Sequence, residues 1–381
     1  MGFYDNFVGE TQQLIRQTAR EFAEGEIRPN AFEWEEAGEF PRDLYDEAAE
    51  AGLLGIGFPE EYGGAGGGPL ENVMVIEGLM YGGSTGVSAG LFSHGIALPP
   101  ILEAGSEETI EAYVPPTLRG EKIGALAITE PGAGSDVAGI RTRAERDGDD
   151  YVVNGSKQFI TSGVRADFLT TLVRTGEDRH GGLSFLVIDT DRDGVEVSKA
   201  LEKTGWCASD TAQLSFENVR VPVENRLGDE GTGFITLMRN FQHERLALAA
   251  YGEATAQVAL EEAESYIEER EAFGRSISKF QVTRHKIAEM ATQVMAAKTA
   301  VYQVASRMDA GEYCVKEVSM AKNFCADVAI DVAYEAVQLH GGMGFMRETV
   351  VERLSRDARL LPIGGGTSEI MKEIIAKEKG Y

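Results

Sequence analysis

Cysteine and histidine are scarce in this chain of 381 residues, which has three cysteines and five histidines. The cysteines (Cys207, Cys314 and Cys325) show no CxxC spacing, so the sequence indicates neither a disulfide framework nor a zinc site. The histidines show no metal-ligand spacing either. We therefore expect chemistry that depends on neither a metal nor a disulfide.

Basic residues are also few. The chain has 36 lysines and arginines and 62 acidic residues, so its net charge is -26. Such a surplus of negative charge argues against binding to nucleic acid or to an anionic membrane. The acidic residues are dispersed along the chain, which is typical of a salt-adapted surface. The composition favours the cytosol of a halophile, with an ordinary acidic enzyme as the alternative.

Charged residues are missing between Gly78 and Leu102, a stretch that could be mistaken for a membrane span. It contains six glycines and Pro99-Pro100, so it predicts a buried helix and turns. The first residues of the chain carry charge and helical spacing, unlike a signal peptide. We therefore expect a soluble, cytoplasmic protein without membrane contact.

The residue pattern changes twice along the chain, whose length suits two or three domains. Residues 1–120 read as helices broken by glycine-rich turns, and residues 121–228 as short β-branched or aromatic runs between turns. Residues 229–381 return to long amphipathic segments joined by short loops, which is typical of a helical bundle. The first helix is predicted to place five residues on one apolar stripe, namely Leu14, Ile15, Thr18, Phe22 and Ile27.

The predicted fold class is α+β and multidomain. It comprises an N-terminal all-α domain, a central β-barrel-like domain and a C-terminal domain of the four-helix-bundle type. Because no alternating βαβ units occur, a Rossmann domain is not expected.

Two glycine-containing segments carry the functional signal. "AITEPGAGSDVAG" (127–139) could be a surface turn, and "QLHGGMGFMRETVVERLSRDAR" (338–359) a helix C-cap followed by a loop. Together, however, they resemble the two signatures of the acyl-CoA dehydrogenase family. "FITSG" (159–163), "REAFGR" (270–275) and "GGGTSEIMKE" (364–373) also match, and the resemblance extends over nearly the whole chain.

This resemblance implies bound FAD, an acyl-CoA substrate, electron transfer to an electron-transferring flavoprotein, and a homo-oligomer that is a dimer of dimers. The flavin ring would be held by Leu126, Ile128, Thr129, Ser135, Phe159, Ile160, Thr161, Thr367 and Glu369. The ADP half would be held, partly from a neighbouring subunit, by Arg270, Gln281, Gln338, Gly341 and Gly342. The substrate would be bound by Ser135, His243, Arg245, Gly365 and Gly366.

The catalytic base is the point at which the chain departs from most relatives. They read Tyr-Glu-Gly-Thr where this chain has Gly364-Gly365-Gly366-Thr367, so Gly365 stands at the position of the glutamate base. A smaller branch, including isovaleryl-CoA and long-chain acyl-CoA dehydrogenases, carries the base in a Glu-Arg-Leu run on a long helix. Here that run contains Glu244, which makes it the candidate base.

A second argument for Glu244 needs no resemblance. At about 100° per residue, Glu244 lies within roughly 60° of four apolar helix neighbours, Leu237, Phe241, Leu248 and Tyr251. A carboxylate on an apolar face is desolvated, and this raises its pKa towards that of a useful base. The expected reaction is α,β-desaturation of an acyl-CoA, with proton removal by Glu244 and hydride transfer to flavin N5.

Four alternatives remain open from the sequence. The first is an oxidase that passes electrons to oxygen, although the compact length favours a dehydrogenase. The missing glutamate could mark a catalytically silent flavoprotein that acts as a binding or assembly partner. Arg245, expected to position the substrate and the neighbouring loop, could instead form a helix salt bridge. His243 could be an ordinary surface histidine.

Overall fold

The structure is a computed structural model that describes residue 4 and residues 6–381. Its first third is helical and ends before the central sheet. The helices are α1 (Glu10–Phe22), α2 (Ala31–Ala37), α3 (Asp43–Glu50), α4 (Pro69–Leu79), α5 (Thr85–Leu91), α6 (His94–Ala97), α7 (Pro99–Ala104) and α8 (Glu107–Leu118). Local capping fixes several of these starts: Pro69 opens α4, and the side chain of Ser84 accepts a hydrogen bond from the amide of Val87 in α5.

The buried face of α1 differs from the predicted stripe. Ala19 and, just beyond the helix, Ala23 and Ile27 are fully buried, whereas Leu14 is 66% exposed. The reason is a close helix contact, since a Cβ on Gly78 of α4 would lie 2.6 Å from the Cβ of Ala19. Only small residues fit at such a crossing, so the prediction that Leu14 belongs to the buried stripe is wrong.

The uncharged stretch 78–102 forms the end of α4 and the short helices α5, α6 and α7. Val87, Leu91 and Leu98 in this stretch are fully buried in the protein. Within the described residues, no helix has the length and apolar character needed to cross a membrane.

The central part is one mixed sheet of eight strands. They are β1 (Gly124–Ala127), β2 (Arg143–Asp147), β3 (Asp150–Thr161), β4 (Phe168–Arg174), β5 (Leu183–Asp189), β6 (Val195–Ala200), β7 (Thr211–Pro222) and β8 (Arg226–Leu227). The hydrogen-bonded order is β6-β7-β3-β2-β4-β5-β8, and β1 joins β4 in parallel. β3 pairs antiparallel with β7, and its register shifts between Lys157 and Ile160. Phe159 lies in this irregularity with a φ of 63°, which turns its side chain outward.

The last part is the helical bundle. Its helices are α9 (Gly233–Glu269), α10 (Gln281–Asp309), α11 (Val315–His340), α12 (Val350–Ala358) and α13 (Ser368–Glu378), with a small hairpin of β9 (Glu271–Ala272) and β10 (Arg275–Ser276) after α9. α9 packs against α10, α11, α12 and also α4. One hydrophobic core therefore joins Val73 and Met74 of α4 to Val294 and Val301 of α10. The predicted order of helices, sheet and helical bundle is confirmed.

Candidate active site

Helix α9 carries Glu244 on its apolar face, as its periodicity predicts. Leu237, Leu248 and Tyr251 are buried, and Phe241 is half-buried. The first turns of α9 pack onto the central domain, because Leu237 belongs to the same hydrophobic cluster as Leu126 and Ile128. Glu244 lies about two helical turns beyond this contact on the same helix.

The glycine turn between α12 and α13 lies against this face of α9. Gly365 and Gly366 have φ values of 61° and 100°, which favour glycine over residues with a side chain. The turn ends at Thr367, whose hydroxyl accepts a hydrogen bond of 3.3 Å from the amide of Ile370 and caps α13. A Cβ built on Gly365 would lie 3.4 Å from Oε1 of Glu244. Glu244 thus borders the space that a side chain at position 365 would enter.

The carboxyl group of Glu244 is poorly solvated and sparsely hydrogen-bonded. The residue is half-buried, and its buried Oε2 has no hydrogen-bond partner among the described residues. Burial raises the pKa of Glu244 to about 7, although the positive charges of Arg245 and Lys322 act in the opposite direction. A carboxyl group with a pKa near neutrality can accept a proton from a substrate and release it again.

Two cations hold the glycine turn by its carbonyl groups. Nε of Arg245 donates to the carbonyl of Gly365 over 3.4 Å, and Nζ of Lys322 donates to the carbonyl of Gly366 over 2.7 Å. In the described part of the chain, Arg245 forms no ion pair within 4.0 Å, so the helix salt bridge considered above is not found. His243 is exposed on the same stretch of α9.

Lys322 is a site residue that the sequence did not reveal. It lies on α11, 44 residues before Gly366, and is fully buried. Its helical neighbours Val318, Cys325, Ala326 and Ala329 are apolar and buried, so the spacing that singles out Glu244 also places Lys322 on the buried face of its helix. Its contact with the glycine turn, by contrast, is visible only in the tertiary arrangement.

Two of the predicted flavin segments of the central domain, 126–129 and 159–161, lie next to each other. The amide of Gln158 donates to the carbonyl of Thr129 over 2.8 Å, which joins the segment after β1 to β3. Next to this bond, Phe159 is 62% exposed, while Ile160 is buried and Thr161 is half-buried. An exposed aromatic face beside hydroxyl and amide groups suits a planar heteroaromatic ring with a polar edge.

Ser135 and Glu369 lie at the surface of the two segments that carry them. Ser135 is exposed in the turn after β1, and Glu369 is exposed in the first turn of α13. Hydrogen bonds from its own backbone amide and from Thr367 lower the pKa of Glu369, so this carboxylate favours its ionised form.

A buried ion pair that the sequence did not reveal supports the turn at 127–139. Nζ of the fully buried Lys157 donates to the carbonyl of Ile128 and to Oε1 of Glu130, both over 2.9 Å. Glu130 also accepts the backbone amides of Arg141, over 2.6 Å, and Thr142, over 3.0 Å. Burial acts to raise the pKa of Glu130, but Lys157 and these hydrogen bonds lower it. Glu130 is therefore an ionised structural anchor for this turn.

The predicted ADP-binding residues lie at the opposite end of the bundle. Tyr266, near the end of α9, stacks on His340 at the end of α11 with ring centroids 4.2 Å apart. This end carries the exposed residues Arg270, Gln281, Gln338, Gly341 and Gly342. From Glu244 to the end of α9 the helix runs on for about 38 Å at 1.5 Å per residue. The structure therefore does not bring this group together with Glu244 in one chain.

Family models match three consecutive parts of the chain. The N-terminal, middle and C-terminal domain models of acyl-CoA dehydrogenase match residues 9–121, 125–219 and 231–380. The chain belongs to the acyl-CoA dehydrogenase family. It is accordingly an oxidoreductase, and its cofactor is FAD.

Individual relatives cover almost the full chain. The mitochondrial long-chain specific acyl-CoA dehydrogenase of Sus scrofa is 39% identical over 96% of this chain and 85% of its own length. The caffeyl-CoA reductase-Etf complex subunit CarC of Acetobacterium woodii is 38% identical over 97% of this chain and 98% of its own. Among solved structures, a probable acyl CoA dehydrogenase from Mycobacterium abscessus is 56% identical in sequence to this chain. Its crystal structure superimposes with a TM-score of 0.96, and the match covers 98% of this chain and 100% of the other.

Proposed function

We propose that this protein is an FAD-dependent acyl-CoA dehydrogenase that converts an acyl-CoA to a 2-enoyl-CoA, with Glu244 as the base that removes the Cα proton. The observation that carries the proposal is the position of Glu244 beside Gly365. Its Oε1 lies 3.4 Å from where a Cβ at residue 365 would stand, and most relatives carry their base at that residue. Helix α9 thus supplies the carboxylate that the turn lacks.

FAD, when bound, accepts the hydride that leaves Cβ of the acyl chain. The flavin ring would be held by Leu126, Ile128, Thr129, Phe159, Ile160 and Thr161 of the central domain, together with Ser135, Thr367 and Glu369. Glu244 receives the Cα proton on a carboxyl oxygen that burial has desolvated, and its raised pKa suits this transfer.

The turn itself would stabilise the negative charge that develops on the thioester carbonyl. The amides of Gly365 and Gly366 donate to no acceptor in the part of the chain that the structure describes. Fixed N–H donors close to a base stabilise an enolate-like oxygen as the proton leaves. Arg245 would keep these amides oriented by binding the Gly365 carbonyl, and the exposed His243 would line the entrance for the CoA thioester.

The separation of the two groups of FAD residues favours an oligomer. Because Arg270, Gln281, Gln338, Gly341 and Gly342 lie at the far end of the bundle, they would bind the ADP half of a cofactor whose flavin ring sits in a neighbouring subunit. Phe273 and Phe345 near the same end are 95% and 79% exposed, which suits a surface that another subunit covers. A dimer of dimers is the assembly we propose.

An electron-transferring flavoprotein is the proposed acceptor, since the name of the Acetobacterium relative places it in a complex with Etf. The cytosol of a salt-rich cell is the proposed setting, in keeping with the net charge of -26. The two relatives above are named for a long-chain and for a caffeyl substrate at nearly the same identity. Similarity alone therefore does not select the acyl group.

Anaerobic bleaching of the flavin tests this function. The FAD-loaded protein is mixed with a panel of acyl-CoAs from short to long, plus isovaleryl-CoA, and the yellow absorbance is followed. We expect at least one substrate to bleach the flavin and yield a 2-enoyl-CoA. If the folded, FAD-loaded protein stays yellow with every member of the panel while dithionite bleaches it, the silent binding protein is the better account.

A further inference from the structure

A buried lysine lies next to the reacting groups of the proposed site. Lys322 is fully buried, and such lysines are rare unless they are paired. Its single hydrogen bond among the described residues goes to a neutral partner, the carbonyl of Gly366, over 2.7 Å. Within those residues it forms no ion pair within 4.0 Å, so no carboxylate contacts its amine directly.

The charged groups around Lys322 come from three elements. Glu244 and Arg245 on α9, Asp327 on α11 and Glu369 on α13 all act on it electrostatically, with Glu244 the largest of these influences. Glu244 in turn is affected by two charges, those of Arg245 and Lys322. Burial lowers the pKa of Lys322 to about 8, and the negative charge of Glu244 acts in the opposite direction and favours the protonated amine.

We propose that Lys322 is a positioning residue for the proton transfer: its ammonium group fixes the glycine turn through the Gly366 carbonyl and supplies the fixed positive charge that favours the ionised form of Glu244. This inference rests on the proposed function of Glu244. Without Lys322, burial would hold Glu244 protonated over a wider range of pH, and a protonated carboxyl group cannot remove the Cα proton. Lys322 therefore orients the amides of the glycine turn and also favours the ionised form of Glu244.

The chain offers a matched control for the mechanical part of this role. Asn323, the next residue on α11, donates from Nδ2 to the carbonyl of Ser368 over 3.1 Å. It ties the same helix to the residue that begins α13, but it carries no charge. Asn323→Leu should therefore loosen this end of the turn without altering the electrostatic surroundings of Glu244.

The test compares Lys322→Gln, which keeps an N–H donor and removes the charge, with Asn323→Leu and the unchanged protein. The measured quantities are the pH profile of kcat/KM and the infrared carboxyl band that Glu244→Gln abolishes, followed against pH. Loss of a positive charge raises the pKa of Glu244, so Lys322→Gln should move both the acidic limb and the band to higher pH by about one unit. Asn323→Leu should lower kcat and leave both midpoints in place.

The inference is overturned if Lys322→Gln leaves both midpoints unchanged or if Asn323→Leu moves them equally. Lys322→Met serves as the second charge-removing variant if Lys322→Gln fails to fold, and the infrared band is readable without turnover. A different result would instead overturn the proposed function, namely full turnover in Glu244→Gln. The two failures are therefore distinguishable.

Discussion

Glu130 and Glu244 each have a fully buried lysine in their surroundings, yet their pKa values shift in opposite directions. Glu130 accepts hydrogen bonds from Lys157 and from two backbone amides, and its pKa is lowered. Oε2 of Glu244 has no partner within the described chain, and burial raises its pKa to about 7. Fixed donors make a carboxylate a structural anchor, whereas desolvation without donors leaves an oxygen free to take a proton from a substrate.

The two lysines differ in the same way. Lys157 contacts a carboxylate directly, while Lys322 contacts a carbonyl and acts on its carboxylate only through space. A direct ion pair would have tied Glu244 in place and lowered its pKa. Around Glu244, the charge of Lys322 limits the rise in pKa that burial causes, and Oε2 of the carboxyl group remains free to accept a proton from a substrate.

The largest effect on stability is expected at the structural pair. Lys157→Met leaves Glu130 as an uncompensated buried charge, so we expect the free energy of unfolding to fall by about 3–5 kcal/mol. Denaturant unfolding of the variant measures this loss. The double variant Lys157→Met, Glu130→Gln should recover part of it because no buried charge remains. A single variant as stable as the unchanged protein would show that Glu130 does not anchor the turn.

The pH dependence of kcat/KM should follow the ionisation of Glu244. Since burial raises the pKa of Glu244 to about 7 and the base acts when ionised, kcat/KM should rise with pH and level off above about 7. Below that point it should fall about tenfold per pH unit, and unfolding does not explain this fall, because protonation of a carboxyl group whose folded-state pKa is raised stabilises the folded protein. An acidic limb near the ordinary glutamate pKa of about 4.3 would show that Glu244 is solvated or is not the base.

Moving the carboxylate across the site should restore part of the activity. The double variant Glu244→Gly, Gly365→Glu should turn over faster than Glu244→Gly alone, because both positions face the same space. A Cβ at residue 365 would meet Cδ1 of Leu248 at 2.3 Å, so adding Leu248→Ala should increase the recovery. No recovery in well-folded, FAD-loaded double and triple variants would contradict the shared position.

The smallest effect is expected from the salt concentration, which should change the Tm of the protein. With a net charge of -26, the folded protein repels itself at low ionic strength, and screening is essentially complete by about 1 M salt. A salt-adapted protein should show a Tm that continues to rise in KCl above 1 M, whereas an ordinary acidic enzyme should reach a plateau. A Tm that is flat above 1 M would exclude the halophilic setting.

How much the sequence predicts depends on whether a feature is local. The resemblance singles out Glu244, and the stripe that predicts its apolar surroundings repeats within one helix, where Leu237, Leu248 and Tyr251 are indeed buried. The Glu130–Lys157 pair spans 27 residues and the Lys322–Gly366 contact spans 44, so no local pattern contains either. Leu14 was misassigned for the same reason, since the contact between α1 and α4 decides which face of the helix is buried.

The central claim is that Glu244 removes the Cα proton, and single-turnover flavin reduction of Glu244→Gln tests it most directly. The matched control is Glu268→Gln, on an exposed part of the same helix. At equal FAD content we expect Glu244→Gln to reduce its flavin at least about 10²-fold more slowly than the unchanged protein, with Glu268→Gln unaffected. Equal reduction rates in all three proteins would contradict the assignment of Glu244 as the base.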